Sequence, residues 1–193
     1  MHFTENSAYH IYNRSFGREK VFTEARHCNY FIHKLGTIRS IADILAYCIM
    51  PDHFHIMVYV RPEATTTRQT AWSGQTGIQR LSRKIGTVLS SFTQGINKER
   101  GRKGSLFQPK TKAKELAEFK DLYACFHYIH QNPLKARLCN KLEDWPYSSI
   151  HEFISDEKNI CSLEVAYDLL DLPTQPEAFL RQSYSAITFN FDE

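Results

Sequence analysis

No apolar run in this chain approaches membrane-spanning length. The longest, Ile44 to Met50, falls far short of the roughly 20 residues a transmembrane helix needs. The N-terminus, MHFTENSAYH, lacks the basic-then-apolar pattern of a secretory signal, so a cytoplasmic protein is expected. Cysteine gives no framework either. Cys28, Cys48, Cys125, Cys139 and Cys161 are odd in number and include no CxxC pair, which argues against both a disulfide scaffold and a cysteine zinc site and reads as reduced, mostly packed thiols. Low-complexity blocks and internal repeats are likewise missing. What remains is 42% hydrophobic and 23% charged residues over 193 positions, a composition that excludes a disordered or collagen-like chain and fits one domain with an appended tail.

Net charge, +3, says little, but its distribution says more. Residues 76–114 carry ten bases against one acid, Glu99, whereas residues 140–193 carry three bases against eleven acids. The first segment suggests a polyanion-binding surface; the second suggests a cover or tail that avoids nucleic acid. A solvated helix face and a charged loop would give the same counts.

Periodicity orders the elements. Residues 8–14 (AYHIYNR) alternate as a strand, and residues 24–40 carry Tyr30, Phe31, Leu35 and Ile38 at helical spacing. Two β-rich runs, 43–50 and 53–60, are separated by Pro51-Asp52, the length of a tight hairpin connection. Residues 61–76 lack periodicity and read as a loop; within it Trp72 could stack on an unpaired base or fill a core gap. From 77 to 98 one apolar stripe (Ile78, Leu81, Ile85, Val88, Leu89, Phe92, Ile96) predicts a long helix. An edge strand is expected over 105–114 because Pro109 cannot donate to a ladder, followed by a helix over 117–132 ended by Pro133. The order β-α-β-β-α-β predicts an α+β, ferredoxin-like (RRM-like) antiparallel sheet with helices on one face. A domain over 1–150 would then carry a short acidic helical extension over 151–193, with helices near 162–171 and 176–184.

Chemistry-bearing residues concentrate in two places. A strand's period of two sends His53 and His55 to one face and Phe54 to the other, so two imidazoles converge. They can hold one divalent ion if a further ligand comes from elsewhere, or they can merely line a polar sheet face. In the last predicted helix Tyr128 and Asn132 are four residues apart and lie one above the other. A hydroxyl nucleophile and a neutral oxygen ligand could thus meet the same ion; equally, Tyr128 could be an ordinary core aromatic. His10, His27, His33, His127 and His130 show no partner pattern and read as satisfied surface or core residues.

These residues carry a resemblance. His53-Phe54-His55 is a histidine, bulky hydrophobic, histidine motif. Together AYHIYNRS, CIMPDHFHIMVYV, GSLFQPKTKAK, YIHQNPLKARL and WPYSSIHEF resemble, in order over residues 8–150, the single-tyrosine HUH transposases and in particular their REP-associated tyrosine transposase branch. The resemblance implies a single-stranded DNA transesterase using Mg²⁺ or Mn²⁺. His53, His55 and Asn132 would ligate the metal, with Gln131 adjacent, and Tyr128 would attack a scissile phosphate to form a 5′-phosphotyrosine and free a 3′-OH for later strand transfer. It also implies a hairpin-containing DNA partner and either a monomer or a homodimer that shares helices between active sites.

Lys110, Lys112 and Lys114 alternate along the predicted edge strand, and Arg80, Arg83 and Lys84 cluster on the long helix; such residues give affinity without sequence specificity. Family matching adds Asn13, Arg14 and Gln108 as DNA contacts. Two other functions compete with the nicking enzyme: a domesticated protein that binds a DNA or RNA hairpin without cutting, and a metal-dependent phosphodiesterase using activated water.

Overall fold

The computed structural model describes residues 1–67, 78–155, 160–188 and 191. The first strand, β1, spans Ala8–Arg14, and α1 follows over Ala25–Gly36, continued by a 3₁₀ turn over Thr37–Ser40. Next come β2 (Ala42–Ile49) and β3 (His53–Val60), a short α2 (Pro62–Thr65), the long α3 (Arg80–Glu99), β4 (Lys112–Leu116) and α4 (Phe119–Lys135). Three helices close the chain: α5 (Ile150–Ile154), α6 (Leu163–Leu170) and α7 (Pro176–Ser185). The strands form one antiparallel sheet in the order β2-β3-β1-β4, as the ferredoxin-like reading requires.

Strand parity decides what each face does. On β3, Phe54 points to α1 and α3, where it meets Phe31 at 5.0 Å and Phe107 at 5.8 Å, and Phe31 in turn meets Phe92 at 5.1 Å. Burying each such ring contributes roughly 1.5–3 kcal/mol, so this aromatic layer anchors the sheet on α1 and α3. The opposite parity, carrying His53 and His55, faces α4, which packs on β2 and β3. Helices on one face is therefore right for α1 and α3, while α4 covers part of the other. Because both faces are covered, β2 and β3 read as near-continuous apolar runs rather than clean alternations.

The structure departs most from the sequence reading at three boundaries, and the expected loop over 61–76 opens with α2. Strand β4 begins at Lys112, not 105; the stretch before it is irregular, with Phe107 buried and Gln108 N donating to Arg14 O. Helix α4 runs through Pro133 to Lys135. The proline loses its own donated bond and crowds the carbonyl of Ile129, yet the turn after it still closes, with Ala136 N donating to Asn132 O at 2.9 Å. Ile78 precedes α3 and is 65% exposed, so the core stripe starts at Leu81. Trp72 lies outside the described residues.

The segment after α4 protects the sheet edge. Ile49 N donates to Tyr147 O, Ser149 N to Tyr47 O and Trp145 Nε1 to Ile49 O, which satisfies β2 groups that an edge would leave open. Helices α6 and α7 pack on β2 and α4. The expected boundary at 150/151 falls in the first turn of α5.

Candidate active site

The hairpin between β2 and β3 turns at Pro51-Asp52, and this turn positions the first histidine. His53 Nδ1 donates to Asp52 Oδ1 at 2.5 Å, and Arg14 Nε lies 3.9 Å from the other carboxylate oxygen. Burial alone would raise the Asp52 pKa; the hydrogen bond from His53 and the positive charges of His53 and Arg14 outweigh it and hold the carboxyl below its usual value. With Nδ1 committed, His53 has Nε2 left for a ligand.

His55 is wholly buried and held between two partners. Asn132 Nδ2 donates to its Nε2 at 3.1 Å, and its Nδ1 shares a hydrogen bond with His10 Nε2 at 3.0 Å. Burial, then the charges of His10, His53 and Arg14, keep its pKa well below the usual value. His10 is pushed down to about 3, by burial first and the charge of Lys114 second. Both rings are thus neutral at neutral pH, the form in which imidazole ligates a metal.

Helix α4 brings the remaining groups. Its i, i+4 spacing places Tyr128 and Asn132 on the face toward β3, with the Tyr128 ring 5.6 Å from the His55 ring and 6.2 Å from that of His10. Tyr128 is 6% exposed, and Phe191 lies against it at 5.4 Å. One turn past Asn132, Lys135 Nζ sits 5.5 Å from the centre of the Tyr128 ring. Gln131 points elsewhere: its Nε2 donates to Ser183 O and Ala186 O, and its Oε1 accepts from Thr188. That amide fastens α7 to α4, which leaves Asn132 as the amide that reaches His55.

A cleft of about 80 Å³ opens over the histidines, lined by Tyr12, Asn13, Arg14, His53, Phe54, His55, Gln108, Lys110 and Lys112. Five of the nine expected DNA contacts therefore border the histidine site, while Lys114 does not line the cleft and has its Nζ 5.2 Å from the centre of the Phe191 ring. Among them Asn13 serves the scaffold, since its Nδ2 donates to Gln108 O and Thr111 Oγ1 while its Oδ1 accepts from Arg14 N. A larger groove of about 970 Å³ shares Asn13, Gln108 and Lys110 with the cleft and continues along Ser90, Thr93 and Asn97 of α3. The other three, Arg80, Arg83 and Lys84, line a separate pocket with Ser40 and Thr87 on the opposite side of the sheet, and the structure does not bring them to the histidines.

The donor set fits a divalent ion. Two imidazoles, His53 with its Nδ1 held by Asp52 and His55 with its Nδ1 held by His10, stand beside an amide, Asn132, that can turn its oxygen inward. A second cluster lies on α1 and α3: Glu24, His27 and Glu99 could also share an ion. There Arg26 pairs with both carboxylates, at 3.1 and 2.9 Å, and already supplies the positive charge. Sequence reasoning missed His10, Asp52 and Lys135. Same-side parity with Tyr12 along β1 marked His10 as facing the site, and the i+7 spacing from Tyr128 marked Lys135, but the register that pairs His10 with His55 crosses strands.

Comparison with known proteins follows the same lines. The family described as "Transposase IS200 like" matches residues 3–132. A protein of Haemophilus influenzae named as a REP-associated tyrosine transposase is 25% identical over 124 residues, 60% of this chain, and the match spans only 62% of that relative's length. Among solved structures, a REP-associated tyrosine transposase bound to a REP hairpin superimposes with a TM-score of 0.59 at 18% identity, covering 100% of this chain and 93% of the other. At that identity the likeness is one of fold.

Proposed function

Because the chain belongs to the IS200-like transposase family, we propose that it cuts and rejoins single-stranded, hairpin-containing DNA through a 5′-phosphotyrosine at Tyr128. The observation that carries this reading is the convergence of His55, Asn132 and Tyr128, from β3 and α4 of a single chain, beside a lysine-rimmed cleft. The Tyr128 hydroxyl gives up its proton and its oxygen attacks phosphorus, the P–O3′ bond breaks, and the electron pair leaves with O3′, which takes up a proton to become a 3′-OH. Reversal onto another end rejoins the strand.

His53, His55 and Asn132 would hold a divalent cation. Bound there, it would neutralise charge on the phosphate oxygens, the chief requirement of phosphoryl transfer. Two imidazoles suit Mn²⁺ better than Mg²⁺, which prefers oxygen ligands. Asp52 holds the His53 ring and His10 that of His55, and Lys135 Nζ lies 5.5 Å from the centre of the Tyr128 ring. Phe191 packs against the Tyr128 ring, 5.4 Å away. His55, Asn132 and Tyr128 meet within one chain, which favours a monomer. We assign the catalytic domain to residues 1–150 and a covering role to 151–193.

The test is incubation of the full chain with labelled single-stranded hairpin DNA and Mn²⁺. A protein band shifted by covalent DNA is expected; cleavage without such a band would favour activated water, and binding without cleavage a hairpin-binding protein. The cleft and its adjoining groove also predict salt-sensitive binding. Each neutralised phosphate on a single strand contributes about 0.7 to the slope of log affinity against log salt, so Lys110→Glu with Lys112→Glu should lower affinity for all sequences and reduce the slope by about 1.4. An unchanged slope would remove these lysines from the binding surface.

A further inference from the structure

Each histidine of the site has its outer nitrogen held, but by different chemistry. His53 is held by the partly exposed carboxylate of Asp52, balanced by Arg14. His55 is held by another imidazole, that of His10, wholly buried like His55 itself. With the Asn132 amide nitrogen turned to His55, one tautomer satisfies both bonds. Asn132 Nδ2 donates to His55 Nε2, so that nitrogen is unprotonated; the His55 proton therefore sits on Nδ1 and is donated to His10 Nε2.

His10 is costly to keep there. Its own Nδ1 is buried without a hydrogen-bond partner among the described residues, and an unpaired buried polar atom costs about 1–3 kcal/mol. An aromatic hydrocarbon would fill the same space without that cost, since the ring stacks on Tyr12 at 4.7 Å and meets Phe191 edge-on at 5.9 Å. What the imidazole adds beyond packing is the acceptor for His55. Those two ring contacts also fix the angle at which the acceptor is offered.

Resting on the metal site proposed above, we infer that His10 is a positioning residue: by accepting from His55 Nδ1 it sets the tautomer and ring orientation that direct the Nε2 lone pair of His55 at the ion. Ligating histidines commonly have their other nitrogen oriented by a carboxylate, a carbonyl or water. A neutral imidazole does the same here without bringing a negative charge into a fully buried position. On ion binding, Asn132 has only to turn its amide so that its oxygen replaces its nitrogen, and His55 keeps its bond to His10.

The test uses the DNA-free full chain and Mn²⁺ alone, with free Mn²⁺ read by electron paramagnetic resonance. His10→Phe keeps the packing and loses the acceptor; His10→Gln keeps an acceptor oxygen. The expected results are about 10- to 100-fold weaker Mn²⁺ binding in His10→Phe, with most of the affinity restored in His10→Gln. Nitrogen-15 correlation spectra of the wild-type chain should show His55 protonated at Nδ1, a readout that needs no variant to fold. Wild-type affinity in His10→Phe, equal loss in both variants, or a His55 protonated at Nε2 would overturn the inference. If His53→Ala weakens Mn²⁺ binding and His10→Phe does not, His10 alone has been misread; if the wild-type chain binds no Mn²⁺, the metal site falls and this inference with it.

Discussion

Tyr128→Phe is expected to lose covalent capture of single-stranded DNA completely while binding the same DNA with nearly unchanged affinity. The substitution removes one oxygen. The ring contacts to His55, His10 and Phe191 need only the ring, so the packing of α4 against β3 survives. Removal of a nucleophile takes away the intermediate itself rather than a fraction of its stabilisation, so the loss should reach the detection limit of a denaturing gel. Binding depends instead on the cleft and its lysines. A Phe variant that still forms the adduct would move the nucleophile elsewhere; one that loses binding in parallel would make the hydroxyl a DNA contact.

Alanine at either histidine should abolish cleavage, and the two variants should differ in stability. His53 stands near the sheet end, with its side chain 12% exposed and one bond to a solvated carboxylate; its loss should cost little stability, within about 1 kcal/mol. His55→Ala empties a fully buried position and strands two partners, His10 and Asn132. Orphaned buried groups cost about 1–3 kcal/mol each, so this variant should be several kcal/mol less stable. Cleavage assays in limiting Mn²⁺ and urea denaturation separate the two effects. A His53→Ala protein that cleaves at the wild-type rate would reject the ligand assignment, whatever its stability.

How far the sequence could be read depended on whether the signal was local. β1 matches its expected limits because seven alternating residues carry their own pattern, and Pro51-Asp52 marks the hairpin that sets His53 and His55 on one face. The i, i+4 relation of Tyr128 and Asn132 is likewise a property of one helix. Pairings between elements were not legible. That His10 meets His55, or that Gln131 turns to α7 while Asn132 turns to His55, depends on inter-strand register and on how α4 is rotated against the sheet. Pro133 misled because losing one donated bond did not stop the next turn from closing, as Ala136 N does on Asn132 O. Arg80, Arg83 and Lys84 share the positive charge of the cleft lysines, but charge alone could not say that α3 packs on the other face.

Peptide mapping of the adduct tests directly whether DNA is bonded covalently to the Tyr128 oxygen. After reaction with hairpin DNA in Mn²⁺, nuclease trimming and trypsin digestion, the Asp121–Lys135 peptide, which contains both Tyr123 and Tyr128, should carry a nucleotide phosphate that fragmentation places on Tyr128. Modification of Tyr123 or of any other peptide, or cut DNA with every peptide unmodified, would remove Tyr128 as the nucleophile.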